Sequence, residues 1–182
     1  DCFTYSATGP SKPNFFMIFI HRLVISYYMV KNKYLSLGLI LLVTFSASAI
    51  GSFVTYFYKE PWYSEIILPG FNPPSWVFGP VWTTLYVLMS IAIWLAWRKT
   101  LDKKLLQIYF VHLFFNAIWS IIFFGFHEIG LALIDLLIIL FFIILLMKIY
   151  FKENRASFYL TVPYFLWSSY ALILNIYIFL LN

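Results

Sequence analysis

The amino-acid sequence predicts an all-α integral membrane protein built as a bundle of five transmembrane helices. Of the 182 residues, 63% are hydrophobic and 10% are charged, whereas an average soluble domain carries roughly 25% charged residues. Five mostly apolar runs are each long enough to cross a bilayer as a helix, which takes about 20 residues. Stretches such as 136–147 (LLIILFFIILLM) lack the polar alternation that transmembrane β-strands need.

The predicted helices cover approximately residues 35–57, 77–97, 105–126, 129–151 and 158–181. One long connection, 59–76, holds four prolines, a glycine and an asparagine, which exclude a regular helix there. Connections of this length without structure of their own are typical of lids and binding loops. We therefore expect the Pro-rich loop to act as a lid.

The first 28 residues fit this architecture poorly. The chain starts at Asp1, and the apolar stretch 15–30 is interrupted by His21 and Arg22. We place the five-helix membrane domain at 29–182, starting at Met29, and expect 1–28 to be a disordered extension or no part of the mature protein. A signal peptide is disfavoured because no A-x-A-like cleavage site follows.

The distribution of basic residues predicts the orientation in the membrane. The formal net charge is +5, but the basic residues lie between the apolar runs instead of forming one stripe, so no nucleic-acid partner is expected. The second and fourth connections are basic, with Arg98, Lys99, Lys103, Lys104, Lys148, Lys152 and Arg155. By the positive-inside rule, the N-terminus lies inside, and the Pro-rich loop and the C-terminus lie outside. A bacterial inner membrane and an organelle membrane fit equally well.

Aromatic and polar side chains form stripes inside two of these helices. In the second helix, Trp82 and Tyr86 fall one turn apart on one face. In the third, four residues recur at i, i+4, i+7 and i+11, namely His112, Asn116, Trp119 and Phe123. Such a stripe faces protein and not lipid.

Each polar residue of the third helix also has a plainer interpretation. Asn116 could serve only as an interhelical hydrogen bond. His112 has no second histidine or carboxylate at metal-ligand spacing, so no metal site is expected, although haem ligation by His112 remains an alternative. Cys2 is the single cysteine, which leaves no disulfide and no cysteine-based metal centre.

Two further helices carry unusual residues. Asp135 is the carboxylate well inside a predicted span, where burial costs about 2.5 kcal/mol or more; it should face the bundle, for function or for a hydrogen bond to a neighbouring helix. The fifth helix spaces Pro163, Trp167, Ala171 and Asn175 four apart, and this stripe describes a cavity wall.

The first helix differs from the other four in the size of its residues. It offers small side chains suited to close helix contact, namely Ser46, Ala47, Ala49, Gly51 and Ser52. We assign this helix a packing role.

Four segments resemble, in order, the signatures of the translocator protein / tryptophan-rich sensory protein (TspO/MBR) family. They are PPSWVFGPVWTTLY (73–86), NAIWS (116–120), LALIDLLII (131–139) and VPYFLWSSYA (162–171). The resemblance, which spans roughly 35–182, implies a five-helix bundle, usually dimeric, with a pocket near the first loop. The pocket is expected to bind porphyrins such as protoporphyrin IX and, in animal members, cholesterol and synthetic ligands.

The resemblance also carries over to single residues. Trp62 and Tyr63 match the aromatic pair of the family's first loop, Trp82 and Trp167 match the two pocket tryptophans, and pocket or helix-contact positions are matched by Asn116, Ala171 and Asn175. His112 departs from the glutamine of many members. Residues 177–182 lack the closing Lys or Arg of the cholesterol-recognition pattern, so cholesterol is disfavoured as a partner.

The leading functional hypothesis is a membrane binding protein for protoporphyrin-like tetrapyrroles, with no other cofactor. The expected ligand-binding residues are Trp62, Tyr63, Trp82, Tyr86, His112, Asn116, Trp119, Phe123, Asp135, Pro163, Trp167, Ala171 and Asn175. The expected partners are the porphyrin, the lipid bilayer and a second copy of the chain.

Two alternatives come from other classes of protein. The first is a light-dependent porphyrin-degrading enzyme with Trp82 and Trp167 as electron donors, since no conventional catalytic constellation is present. The second is a sterol or small-molecule transporter, which is weaker because the helices show no internal repeat. Counting from the outer helix ends puts Trp82 about 8 Å deep and Trp167 about 21 Å deep, so a macrocycle would have to bridge them.

Overall fold

The computed structural model describes residues 32–182, of which 37–182 form one compact unit. Its helices are α1 (Lys33–Tyr58), α2 (Trp62–Glu65), α3 (Ser75–Thr100), α4 (Lys103–Ser120), α5 (Ile129–Glu153) and α6 (Arg155–Leu181). A π-helical segment, Ile121–Gly125, extends α4. With that extension, five helices are long and apolar enough to cross a membrane, as predicted. The extension proposed for residues 1–28 lies outside the described residues.

The helix ends are set by identifiable capping groups. The Asn32 carboxamide oxygen accepts hydrogen bonds from the N–H groups of Tyr34 and Leu35, both at 3.1 Å. Asp102 accepts from Lys104 N–H at 2.8 Å at the start of α4, and Asn154 accepts from Ala156 N–H at 3.0 Å at the start of α6. These side chains satisfy backbone donors that have no partner inside the helix.

The surface of the bundle is largely apolar. Leu42 and Phe141, for example, are 64% and 61% exposed, while Ile93, Ala132 and Ile143 are fully buried in the interior. An apolar exterior of this kind is suited to lipid and not to water. Together with the five spans, it makes the chain a multi-pass membrane protein.

The Pro-rich loop is more ordered than the sequence suggested. We expected no regular helix between 59 and 76, but one helical turn, α2, forms between Pro61 and Ile66, and α3 begins within the same segment at Ser75. The loop prolines Pro61 and Pro74 directly precede these two helical segments, where a missing N–H group costs least.

The loop is fastened to the last turns of α6. The Tyr170 hydroxyl donates to the backbone oxygen of Phe71 at 2.7 Å. The Asn182 side chain accepts from Ile67 N–H at 2.9 Å and donates to Ile67 O at 3.1 Å. The C-terminal part of α6 therefore runs beside the loop.

Candidate functional site

A cavity of about 440 Å³ lies inside the bundle beneath the Pro-rich loop. All five long helices and the loop contribute to its walls. It has two ends, defined here by residues: the deep end at Tyr86 and Asn116, and the loop end at Tyr63, Phe123 and Asn175. The volume falls in the range of about 300–1,000 Å³ typical of small-molecule sites.

A closed hydrogen-bond network forms the deep end. The Tyr86 hydroxyl donates to Asn116 Oδ1 at 2.5 Å, and Asn116 Nδ2 donates to the Tyr164 hydroxyl at 2.9 Å. That hydroxyl lies 2.9 Å from His112 Nε2. The Tyr164 hydroxyl thus lies between Asn116 and His112, and the tautomer of His112 decides whether the hydroxyl or Nε2 is the donor.

Aromatic rings cover the loop end. Tyr63 and Phe123 are buried and pack with Ala132, Leu174 and Ile178 in one hydrophobic cluster. Trp119 stacks on Phe123 with ring centroids 4.9 Å apart. The π-helical segment turns Phe123 into this cluster, and π-helical turns are frequent at functional sites.

The Tyr63 hydroxyl links the aromatic rings of the loop end to the rest of the Pro-rich loop. It donates to Asn72 Oδ1 at 3.3 Å. Burial raises the pKa of Tyr63 above its usual value, so the phenol keeps its proton at neutral pH and remains a donor.

Two polar side chains lining the cavity have buried atoms without a protein partner in residues 32–182. Asn175 is 2% exposed, and neither its Nδ2 nor its Oδ1 is hydrogen-bonded. The indole Nε1 of Trp119 is also unpaired. Among the described residues that line the cavity, the unpaired buried atoms therefore lie at the loop end.

The two predicted pocket tryptophans line the same cavity, but our depth estimate for Trp167 was wrong. Trp167 packs edge-on against Phe78, one turn from the start of α3, with centroids 5.9 Å apart. Trp82 packs against Tyr164, one turn deeper, with centroids 6.3 Å apart. Counting from the end of α6 misplaced Trp167, because the last turns of α6 lie beside the loop, beyond the start of α3.

Nine of the predicted site residues line the cavity: Tyr63, Trp82, Tyr86, Asn116, Trp119, Phe123, Trp167, Ala171 and Asn175. The structure brings these residues together from the loop and from three helices. Trp62 is displaced from the lining, because its ring stacks on His127 at 4.4 Å and meets Phe123 edge-on at 5.4 Å. Trp62 therefore packs against Phe123 of the loop end without lining the cavity itself.

Three other predicted residues do not line the cavity. His112 lies behind Tyr164 and reaches the cavity only through the hydrogen-bond network. Asp135 faces the bundle as expected, at 4% exposure, but its neighbour Leu136 lines the cavity in its place. Pro163 is exposed and belongs to a shallow outer groove between α3 and α6.

The sequence analysis missed the contribution of α1. Gly51 does approach α4 closely, since an added Cβ would lie 3.1 Å from Ser120 Oγ. The packing role is nevertheless incomplete, because Ser48, Gly51, Ser52 and Thr55 also line the cavity. Their spacing of i, i+3, i+4 and i+7 marks one helix face, a signal that was present in the sequence.

Lys59 is the one charged side chain among the described residues that line the cavity. Its ammonium group donates to Ser75 Oγ at 3.2 Å and lies 3.5 Å from a Glu60 carboxylate oxygen. It also lies 4.9 Å from the centroid of the Tyr63 ring. The positive charge is thus already partly compensated at the loop.

Within residues 32–182, no three His, Cys, Asp or Glu side chains are grouped so as to hold a metal ion. The cavity lining offers aromatic contact area and hydrogen-bonding groups.

Comparison with known proteins matches residues 19–181 to the TspO/MBR family. The chain is 37% identical over 134 residues to the tryptophan-rich protein TspO of Archaeoglobus fulgidus, which covers 72% of this chain and 87% of that protein. It is 32% identical over 152 residues to the protein of the same name from Chlorobaculum tepidum, covering 81% and 94%. It is 33% identical over 119 residues to the translocator protein of Homo sapiens, covering 63% and 70%.

Proposed function

The chain belongs to the TspO/MBR family, and from that premise we propose that its cavity binds a flat, largely apolar tetrapyrrole such as protoporphyrin IX. One observation carries the proposal. The rings of Trp82, Tyr86, Trp119, Phe123 and Trp167 line a single cavity. Aromatic walls of this kind favour a flat π-system through stacking and apolar contact.

The lining also suits the edge chemistry of such a ligand. Ala171 and Gly51 line the cavity with little or no side chain and so leave space between the rings. Hydroxyl and amide groups supply a few polar contacts among the rings, which is the usual composition of a small-molecule site. The side chains of Ser48, Ser52, Thr55, Thr83 and Ser168 belong to that set.

Titration of the purified protein with protoporphyrin IX tests this proposal. We expect a Kd in the micromolar range or better, about 8 kcal/mol. Trp167→Ala should weaken binding about tenfold, because one aromatic contact and its apolar area are lost, and Ala171→Phe should weaken it at least as much by filling the cavity. Phe141→Ala, which removes a ring exposed on the outside of α5, is the matched control.

Unchanged porphyrin affinity in both cavity variants would remove this cavity as the binding site. A parallel titration with cholesterol, for which we propose poor binding, separates tetrapyrrole specificity from general uptake of apolar molecules.

A second function is light-dependent degradation of the bound porphyrin, in which the photoexcited macrocycle takes an electron from a tryptophan and O2 is the terminal oxidant, and the position of Trp82 favours it. Its ring lies 5.5 Å from that of Tyr86 and 6.3 Å from that of Tyr164, centroid to centroid, so several oxidisable rings adjoin a bound macrocycle. Trp82→Phe and Trp167→Phe should each slow light-dependent porphyrin loss in air while retaining much of the binding. Equal bleaching rates in the wild type, in both variants and in detergent alone would leave only the binding function.

We also propose that the Pro-rich loop faces outside and that the chain pairs with a second copy. Lys99 donates a hydrogen bond to the backbone oxygen of Glu153, so the basic second and fourth connections meet at one end of the bundle, which by the positive-inside rule is the inner end.

Cysteine labelling in a Cys2→Ser background tests the orientation. Ser64→Cys in the exposed loop should react with impermeant reagents added outside, and the exposed Ala156→Cys should not. The reverse pattern would contradict the orientation, and a monomeric mass in several mild detergents would contradict the pairing.

A further inference from the structure

We propose that Asn175 is the polar anchor of the cavity and that it binds a neutral carboxylic acid of the ligand, not a carboxylate. This inference rests on the proposed function, since the carboxylic acid in question is a propionic acid side chain of the tetrapyrrole. It assigns a ligand group, with a defined protonation state, to one residue of the loop end.

The first step compares the two asparagines that line the cavity. Asn116 Nδ2 donates a hydrogen bond to the Tyr164 hydroxyl, and Asn116 Oδ1 accepts one from the Tyr86 hydroxyl. Each amide atom thereby has a partner, which holds the amide in place and leaves one N–H and one lone pair of it unused. Asn116 therefore supports the wall of the deep end and does not anchor a ligand.

Asn175 presents the opposite case. Its Nδ2 and Oδ1 are both buried and unpaired within the described part of the chain, and the residue lines the same cavity, so that a turn of the side chain brings the amide to a bound ligand. A buried polar group without a partner costs about 1–3 kcal/mol, and an amide presents a donor and an acceptor, each with that cost. A bound group that pairs with both atoms recovers the loss.

The chemistry of the amide selects that group. Nδ2–H donates while Oδ1 accepts, and the two atoms lie side by side in one plane. A carboxylic acid matches them with its carbonyl oxygen and its O–H, closing a ring of two hydrogen bonds. A carboxylate would satisfy Nδ2 but would place a negative oxygen against Oδ1.

The charges around the cavity also favour binding of the neutral carboxylic acid. Lys59 is the cation of the described lining, and it is already in contact with Ser75 and Glu60. An ionised acid held by Asn175 would be a buried charge without a partner, which is expensive in a medium of low dielectric constant. The neutral acid avoids this cost.

The test compares protoporphyrin IX with its dimethyl ester, which keeps the carbonyl acceptor and loses the O–H donor. At about pH 5 the wild type should bind the diacid roughly tenfold more tightly than the ester, the effect of one well-formed hydrogen bond. Asn175→Leu, similar in size and without polar atoms, should bind the two ligands equally. Ile173→Leu, on the exposed side of the same helix, should behave as the wild type.

A pH series provides a second readout that does not depend on any variant. Free carboxylic acids of this type ionise with a pKa near 4–5. If the neutral acid is the bound form, affinity for the diacid falls as the pH rises from about 5 to 8, and affinity for the ester stays constant. A bound carboxylate would leave the affinity for the diacid flat over the same range.

The outcomes separate this inference from the proposed function. If the wild type binds neither porphyrin, the proposed function fails. If the porphyrin binds and Trp167→Ala weakens it, while Asn175→Leu still discriminates against the ester or the pH series is flat, the anchor alone is wrong. A preference against the ester that persists in Asn175→Leu would reveal steric exclusion of the methyl groups.

Discussion

The two ends of the cavity use the same residue type for opposite purposes. At the deep end, Asn116 is held by Tyr86 and Tyr164, and Tyr164 is held in turn by His112. At the loop end, Asn175 is equally buried and has no partner within residues 37–182. One amide is paired within the scaffold, and the other is the one that we propose binds a ligand.

This difference shows how to interpret a polar residue inside a membrane bundle. Such residues are costly in hydrocarbon, and they persist either because they join helices or because they serve a site. The sequence marks both asparagines as unusual. Only the state of their hydrogen bonds distinguishes the two roles, and each role has its own response to mutation.

The largest effect on stability is expected at the deep end. Asn116→Leu leaves the Tyr86 hydroxyl without its partner and removes one partner of the Tyr164 hydroxyl, which keeps His112; an unpaired buried group costs about 1–3 kcal/mol. Interhelical hydrogen bonds in membranes have yielded smaller values, so we expect a net loss of about 2 kcal/mol. Unfolding of the detergent-solubilised protein by denaturant measures it, with Ile173→Leu as the control. A variant as stable as the wild type would mean that the network is not structural.

Tyr164→Phe should have about half that effect. It removes the hydroxyl that accepts from Asn116 and pairs with His112, but the ring that packs against Trp82 remains. We expect a loss of about 1 kcal/mol in the same unfolding experiment. Tyr159→Phe, which changes an exposed tyrosine on the same helix, should cost nothing measurable, and equal losses in the two variants would rule out a special role for the Tyr164 hydroxyl.

The smallest effect on stability is expected where the loop is fastened to α6. Asn182→Leu removes both hydrogen bonds to Ile67. Because these bonds are exposed to solvent, the cost should be at most about 0.5 kcal/mol. Porphyrin dissociation should nevertheless become roughly two- to fivefold faster, since changes of this kind act mainly on the off-rate. Stopped-flow measurements after mixing with a porphyrin acceptor test this expectation, and an unchanged off-rate would mean that the loop does not cover the ligand.

Much of the fold could be predicted from the sequence, because apolar runs of membrane-spanning length leave few alternatives. The stripe of the third helix likewise placed Asn116, Trp119 and Phe123 on the cavity wall. The periodicity of a single helix could not show that Tyr164 stands between His112 and the cavity, since that depends on where a second helix packs. Neither could it show that α6 extends beside the loop, which is why the depth of Trp167 was misjudged.

Ligand-linked stability of Asn175→Leu is the most direct test of the contrast between the two ends. The free energy of unfolding is measured for wild type, Asn175→Leu and Asn116→Leu, each without and with protoporphyrin IX at a fixed excess. Without ligand, we expect Asn175→Leu to equal the wild type or exceed it by up to about 1 kcal/mol, because an unpaired amide is replaced by an apolar group of similar size. With ligand, it should gain less stability than the wild type, whereas Asn116→Leu should be destabilised under both conditions. An Asn175→Leu variant that is as unstable as Asn116→Leu without ligand, and that gains as much as the wild type with it, would contradict the account.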